Sequence, residues 1–189
     1  MAVHDFTVKQ IFWGNILLII CCVFYLAWWL LAFKPVGAIK GIKTGWLLLP
    51  ATIAGFAAVI IAVKGVLSAS VRVTLFPGGV ILWGGIAAYL ILLVVTLLLF
   101  TRPVTTELFL IIGWAMLALS EINVLYGMGQ YSHRSAVIFA VVIGIATMVS
   151  LVCYVLYYKL GDRAGYVDGM IPLIVASLVM AGIDIAVLV

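Results

Sequence analysis

The chain alternates six times between a long apolar run and a short polar break. The runs cover about residues 11–33, 45–67, 80–100, 105–126, 136–158 and 170–189. Each approaches the ~20 residues that a helix needs to cross a ~30 Å hydrocarbon layer. They are too long for strands and do not alternate apolar with polar residues. The pattern therefore predicts an all-α, polytopic transmembrane bundle of six helices. A single integral membrane domain is expected over 1–189, because no break is long enough to fold alone.

The breaks carry ordinary stop signals. Lys34 to Thr44 holds Pro35 and three lysines, and Pro77-Gly78-Gly79 marks a turn. Thr101-Arg102-Pro103-Val104 is a tight connection, and Glu107 follows in the first turn of span 4, where the helix dipole favours an anion. Gly127 to Ser135 and Lys159 to Gly169 join the last spans. The first run is longer than a signal-peptide core and ends in Trp28 and Trp29, so it is expected to remain as span 1. Trp13, Trp28, Trp29, Trp46, Tyr157 and Tyr158 lie near span ends, as interfacial anchors do. Cys22 to Tyr25 followed by a Trp pair echoes Cys153 to Leu156 followed by a Tyr pair, which would relate spans 1–2 to spans 5–6.

Composition sharpens this picture. Hydrophobic residues make up 68% of the 189 and charged residues 8%. About 25% charge is usual for a soluble domain, so too little polar side chain exists here to cover one. The formal charge of +4 is spread through the breaks and forms no basic run with interleaved aromatics, which argues against nucleic acid. Its natural reading is orientation. With both termini outside, the inner breaks hold Lys34, Lys40, Lys43, Arg102, Lys159 and Arg163, against Lys9, Arg72 and Arg134 outside. The positive-inside rule favours that arrangement in a plasma (inner) membrane.

Few residues carry chemistry. Cys21, Cys22 and Cys153 fall inside apolar runs and lack ligand spacing, and His4 and His133 sit in breaks. Neither a metal site nor a haem is expected, and no other cofactor is implied. No GxSxG, HExxH or GxxxxGK[ST] motif occurs, so an enzyme is not the favoured reading. The polar run Tyr131 to Ser135 reads as a solvated turn or a lipid head-group contact.

Lys64, Glu121 and Asp184 stand out because a charge inside lipid costs at least ~2.5 kcal/mol. Spans 2, 4 and 6 run in one direction and span 1 in the other. Lys64, Glu121, Asn123 and Asp184, late in even spans, therefore share a layer with Asn15, early in span 1. The sharp expectation is a polar pocket toward the outer leaflet, with Lys64 paired to Glu121 or Asp184. The plain alternatives are that Lys64 snorkels, that Asp184 reaches water beyond the last turn, and that Asn15 and Asn123 are interhelical glue. Small residues recur at Ala54, Ala58 and Ala62, at Ala51 and Gly55, and at Ala140 and Gly144, as in tight helix contacts or self-association. Gly113, Leu117 and Glu121 form a further stripe in span 4.

These features favour a transporter or channel for a small solute or ion. A non-catalytic subunit of a larger membrane complex is the alternative, and a lipid-acting enzyme the third. The expected partners are the bilayer, a small-molecule or ion ligand, and either a second copy or a membrane-complex subunit.

Overall fold

A computed structural model describes residues 2–32, 44–71, 73–77, 79–99, 106–157 and 159–188. The lysine-rich break at 34–43, Arg72, the 101–104 connection and Tyr158 lie outside the described residues. Among the described residues there are seven α-helices, with a short 3-10 turn (Thr44–Leu47) leading into the second: α1 (Ala2–Ala32), α2 (Leu48–Ser68), α3 (Val80–Leu99), α4 (Thr106–Gly127), α5 (His133–Leu156), α6 (Asp162–Asp168) and α7 (Ile171–Leu188). Six stretches are long and apolar enough to span a membrane, because α6 and α7 together form the last one. The architecture is an all-α six-helix transmembrane bundle.

Two ends differ from the apolar pattern. α1 starts at Ala2, ahead of the run that begins at Ile11. The polar residues of its first turns include Thr7, which is buried and meets the Ser68 hydroxyl at 3.3 Å. The connection expected at 159–169 is partly helical, and α6 breaks at Gly169 before α7 begins. Hydropathy registers grease rather than backbone, so a polar helical turn at a span end escapes it.

α1 is the hub. One face meets α2 in an antiparallel register set by small residues. Ile11 packs on Gly65, Gly14 on Ala62 and Cys21 on Gly55. A Cβ on Gly14 would stand 2.7 Å from the Ala62 Cβ, so the two backbones nearly touch. Its next face meets α7, which lies against α5 in turn, while α4 packs on α5 and also reaches α2 and α7. α3 leans on α4. α4 is the most buried span, with half of its apolar window inside the protein. α7 meets α5 where the Phe139 ring lies on Gly182. Gly144 and Gly113 have open space beside them, so neither glycine marks a close helix contact within the chain, and the span 4 stripe is buried at its Glu121 end.

The ends of α1, α2, α4 and α7 that share one side are closed by two turns. After α4 the chain reverses at Gly129, whose φ of +76° is a conformation glycine adopts without penalty. The Gln130 and Gly129 amides donate to the Leu125 and Tyr126 carbonyls, a helix-ending pattern that satisfies two orphan acceptors. The Ser132 hydroxyl then accepts from the Ser135 amide at 3.1 Å and starts α5. Tyr131, caught between these two caps, is forced inward.

Candidate functional site

Helix direction brings Asn15, Glu121 and Asp184 into one buried cluster near the side where α1 begins. Their exposures are 0%, 0% and 4%. The Asn15 Nδ2 donates to Asp184 Oδ1 at 2.9 Å, across the α1–α7 contact. The Asn15 amide also lies beside Glu121 but falls short of a hydrogen bond in distance or angle. Both Glu121 oxygens, Asp184 Oδ2 and Asn15 Oδ1 are buried without a hydrogen-bond partner. The apolar surroundings come from Ile11, Ile122, Met180 and Ile183, all buried. The cluster is therefore rich in acceptors, and only one donor serves it. An unpaired buried polar group costs about 1–3 kcal/mol, and more if charged.

Tyr131 roofs the cluster. Its hydroxyl donates to the Ile183 carbonyl at 2.6 Å, one residue from Asp184, and its ring stacks on Phe139. Burial raises its phenol pKa above the ordinary range, and the Asp184 and Glu121 carboxylates push the same way. The phenol thus stays a donor. Sequence reasoning placed Tyr131 in a solvated turn; it is buried because the caps on either side leave it no outward path.

The structure does not bring Lys64 and Asn123 into the cluster. Ala58, Ala62 and Gly65 hold the α1-facing side of α2, which turns Lys64 outward. Lys64 is exposed and its ammonium lies over the Phe6 ring, 6.0 Å from the centroid, rather than against either carboxylate. Asn123 faces the α2–α3 connection. Its Oδ1 accepts from the Leu75 amide at 2.7 Å and the Phe76 amide at 3.0 Å. It is a clamp on that loop. Depth in the membrane follows from position in a span, but direction around the helix does not.

A third carboxylate escaped sequence reasoning altogether. Asp168 is 7% exposed at the break between α6 and α7, its Oδ2 has no partner, and the Cys153 thiol lies against it. The segment is fixed by Trp29, whose indole N–H donates to the Tyr166 carbonyl at 3.0 Å and whose ring packs on Gly169. Trp29 is thus more than an interfacial anchor. The only sequence hint was an acid directly before the last apolar run.

Among the described residues, no group of three or more histidine, cysteine or acidic side chains is placed to hold a metal ion. The fold defines a multi-pass integral membrane protein, here with a carboxylate pair enclosed beneath one face. Comparison of the chain with family models, curated proteins and solved structures gives no match. The functional reading rests on this geometry alone.

Proposed function

We propose that the protein is a membrane transporter for protons or a small cation, with Asn15, Glu121 and Asp184 as its binding site. The observation that carries this is the fully buried Glu121, with neither oxygen partnered, beside a second acid and a single amide donor. Two ionised carboxylates enclosed among apolar side chains repel each other and lose their hydration. A proton or a cation relieves both costs at once. Intramembrane acids that serve transport are held in this way, facing the interior rather than lipid. Asn15 orients the site, Asp184 shares the bound charge, and Tyr131 closes the near side. Lys64 and Asn123 support the reading only indirectly, as a residue at the membrane boundary and as a loop clamp. The basic residues support a plasma-type membrane with both termini outside, which puts the site in the outer leaflet.

The test is flux in liposomes. Purified protein is reconstituted with a trapped pH-sensitive dye, and a potassium gradient with valinomycin imposes a voltage. Proton entry above that of protein-free vesicles is expected, and Glu121→Gln is expected to remove it. If Glu121→Gln retains wild-type proton flux, and sodium or potassium flux measured in the same way, the site is not where transport occurs. Absence of any flux from the wild type, together with a stoichiometric partner on purification, favours the complex-subunit reading.

A further inference from the structure

α1 pairs with α7 and the turn before it through three spaced contacts, two of them polar. Asn15 meets Asp184, Cys22 meets Ser177, and Trp29 meets Gly169. The contacts step by seven residues along α1, and by seven and then eight along α7 and the turn before it, each about two turns or ~10–12 Å, so they fall on one seam. The first contact touches Glu121. The last fixes the α6–α7 break that carries Asp168 and, beside it, Cys153 on α5. Asp168 and Asp184 are separated by sixteen residues on a nearly continuous helix, ~24 Å of a ~30 Å layer. The molecule thus holds buried, incompletely partnered carboxylates near both sides of the membrane, with a thiol and a hydroxyl midway. Lys64 does not neutralise the Glu121–Asp184 end, since it faces outward over the Phe6 ring.

We propose that Asp168 is a second proton-binding station and that the α1–α7 seam is the path between it and the Glu121–Asp184 pair. This rests on the transport reading above and commits it to the proton. A carboxylic acid at one end releases its proton to the base next along the seam, and a carboxylate at the other end accepts one. Each transfer breaks one O–H bond and forms another, with no other reactant. These contacts are too far apart for direct transfer, so water admitted along the seam carries the proton between them. Ser177 and Cys22 are the polar groups that such water meets halfway. The Ser177 hydroxyl donates to the Leu173 carbonyl at 2.8 Å, within its own helix, and lies against the Cys22 thiol. Asp168 is a binding group on this path, with the Cys153 thiol against it.

The experiment uses the same proton-loaded vesicles with wild type, Glu121→Gln, Asp168→Asn, and Ser177→Ala combined with Cys22→Ala. Infrared spectra of each variant record the carbonyl stretch of the protonated acid that Glu121→Gln removes. Asp168→Asn is expected to lower proton flux about tenfold or more while keeping that band, which shows the far site intact. The double variant, which touches neither carboxylate, is expected to lower flux about threefold. Wild-type flux in Asp168→Asn, with flux lost in Glu121→Gln, overturns the path and leaves the transport reading standing. Unchanged flux in the double variant also overturns the path, and decides the matter if Asp168→Asn does not fold. No proton flux in the wild type overturns this inference, and sodium or potassium flux lost in Glu121→Gln would then leave the broader transport reading in place.

Discussion

At the scale of single residues, the chain accepts a cost at Glu121 that a stability-driven sequence would remove. Its two oxygens and the Asn15 Oδ1 are buried acceptors without a partner. Glu121→Gln replaces one acceptor with an amide NH2 donor of the same shape. It is expected to donate to Asn15 Oδ1 and stabilise the protein by about 1 kcal/mol, while abolishing flux. Thermal unfolding in detergent reads this, and a lower midpoint for the variant would show that the native acid is already satisfied. Glu121 was legible from hydropathy because it interrupts a long apolar run. Asp184 and Asn15 were legible by depth, since helix direction alone aligns them. Lys64 and Asn123 were legible by depth only. Their azimuth is set by which face of α2 or α4 the small and apolar neighbours claim, and that depends on partners the sequence does not name. Tyr131 and Asp168 sat in segments that read as polar connections, so nothing marked them as buried.

At the scale of elements, α1 and α2 are held by absence of side chain rather than by its presence. Lipid offers no hydrophobic drive between helices, so close backbone approach and dispersion must supply the contact. Gly14 is the tightest point, with the Ala62 amide nitrogen 3.0 Å from where a Cβ would stand. Backbone cannot yield as a side-chain tip does. Gly14→Ala is expected to force the pair apart and cost about 1–3 kcal/mol, whereas Gly113→Ala, with open space beside it, is expected to be neutral or stabilising by up to ~1 kcal/mol. Thermal melts of the two variants side by side check this, and equal effects would mean the α1–α2 seam is loose. The six spans were legible because membrane crossing imposes a length of grease. The small-residue register at Ala54, Ala58 and Ala62 was legible too, as a face though not as a partner. The early start of α1 and the α6–α7 break were not, because polar helical turns at a membrane boundary look like loops to any hydropathy measure.

At the scale of the whole molecule, the carboxylate pair is enclosed, and transport through it requires an opening. The α2–α3 connection follows the end of α2, on the side where α1 begins, and its described residues pack close to the pair's helix, α4. Leu75 packs on the core around Ile122 and Leu125, and Val71 and Val73 press on Gly127 at the end of α4. Two backbone amides of this loop hang on one side-chain oxygen, that of Asn123. Asn123 is two residues from Glu121 on the same helix, so the clamp and the site move together. Asn123→Ala removes both bonds and leaves the Leu75 and Phe76 amides seeking water. The loop is then expected to lift while the helices, held by the α1–α2 and α1–α7 seams, stay in place. A water-soluble carbodiimide, which attacks protonated carboxylic acids from the aqueous side, reports this directly. Modification of Glu121, followed by peptide mass spectrometry with Glu121→Gln as the blank, is expected to be about tenfold faster in Asn123→Ala than in the wild type. An unchanged rate with an intact thermal transition would mean that the loop is not the barrier. The opening would then have to lie along the α1–α7 seam, where the Asn15–Asp184 hydrogen bond crosses between the two helices.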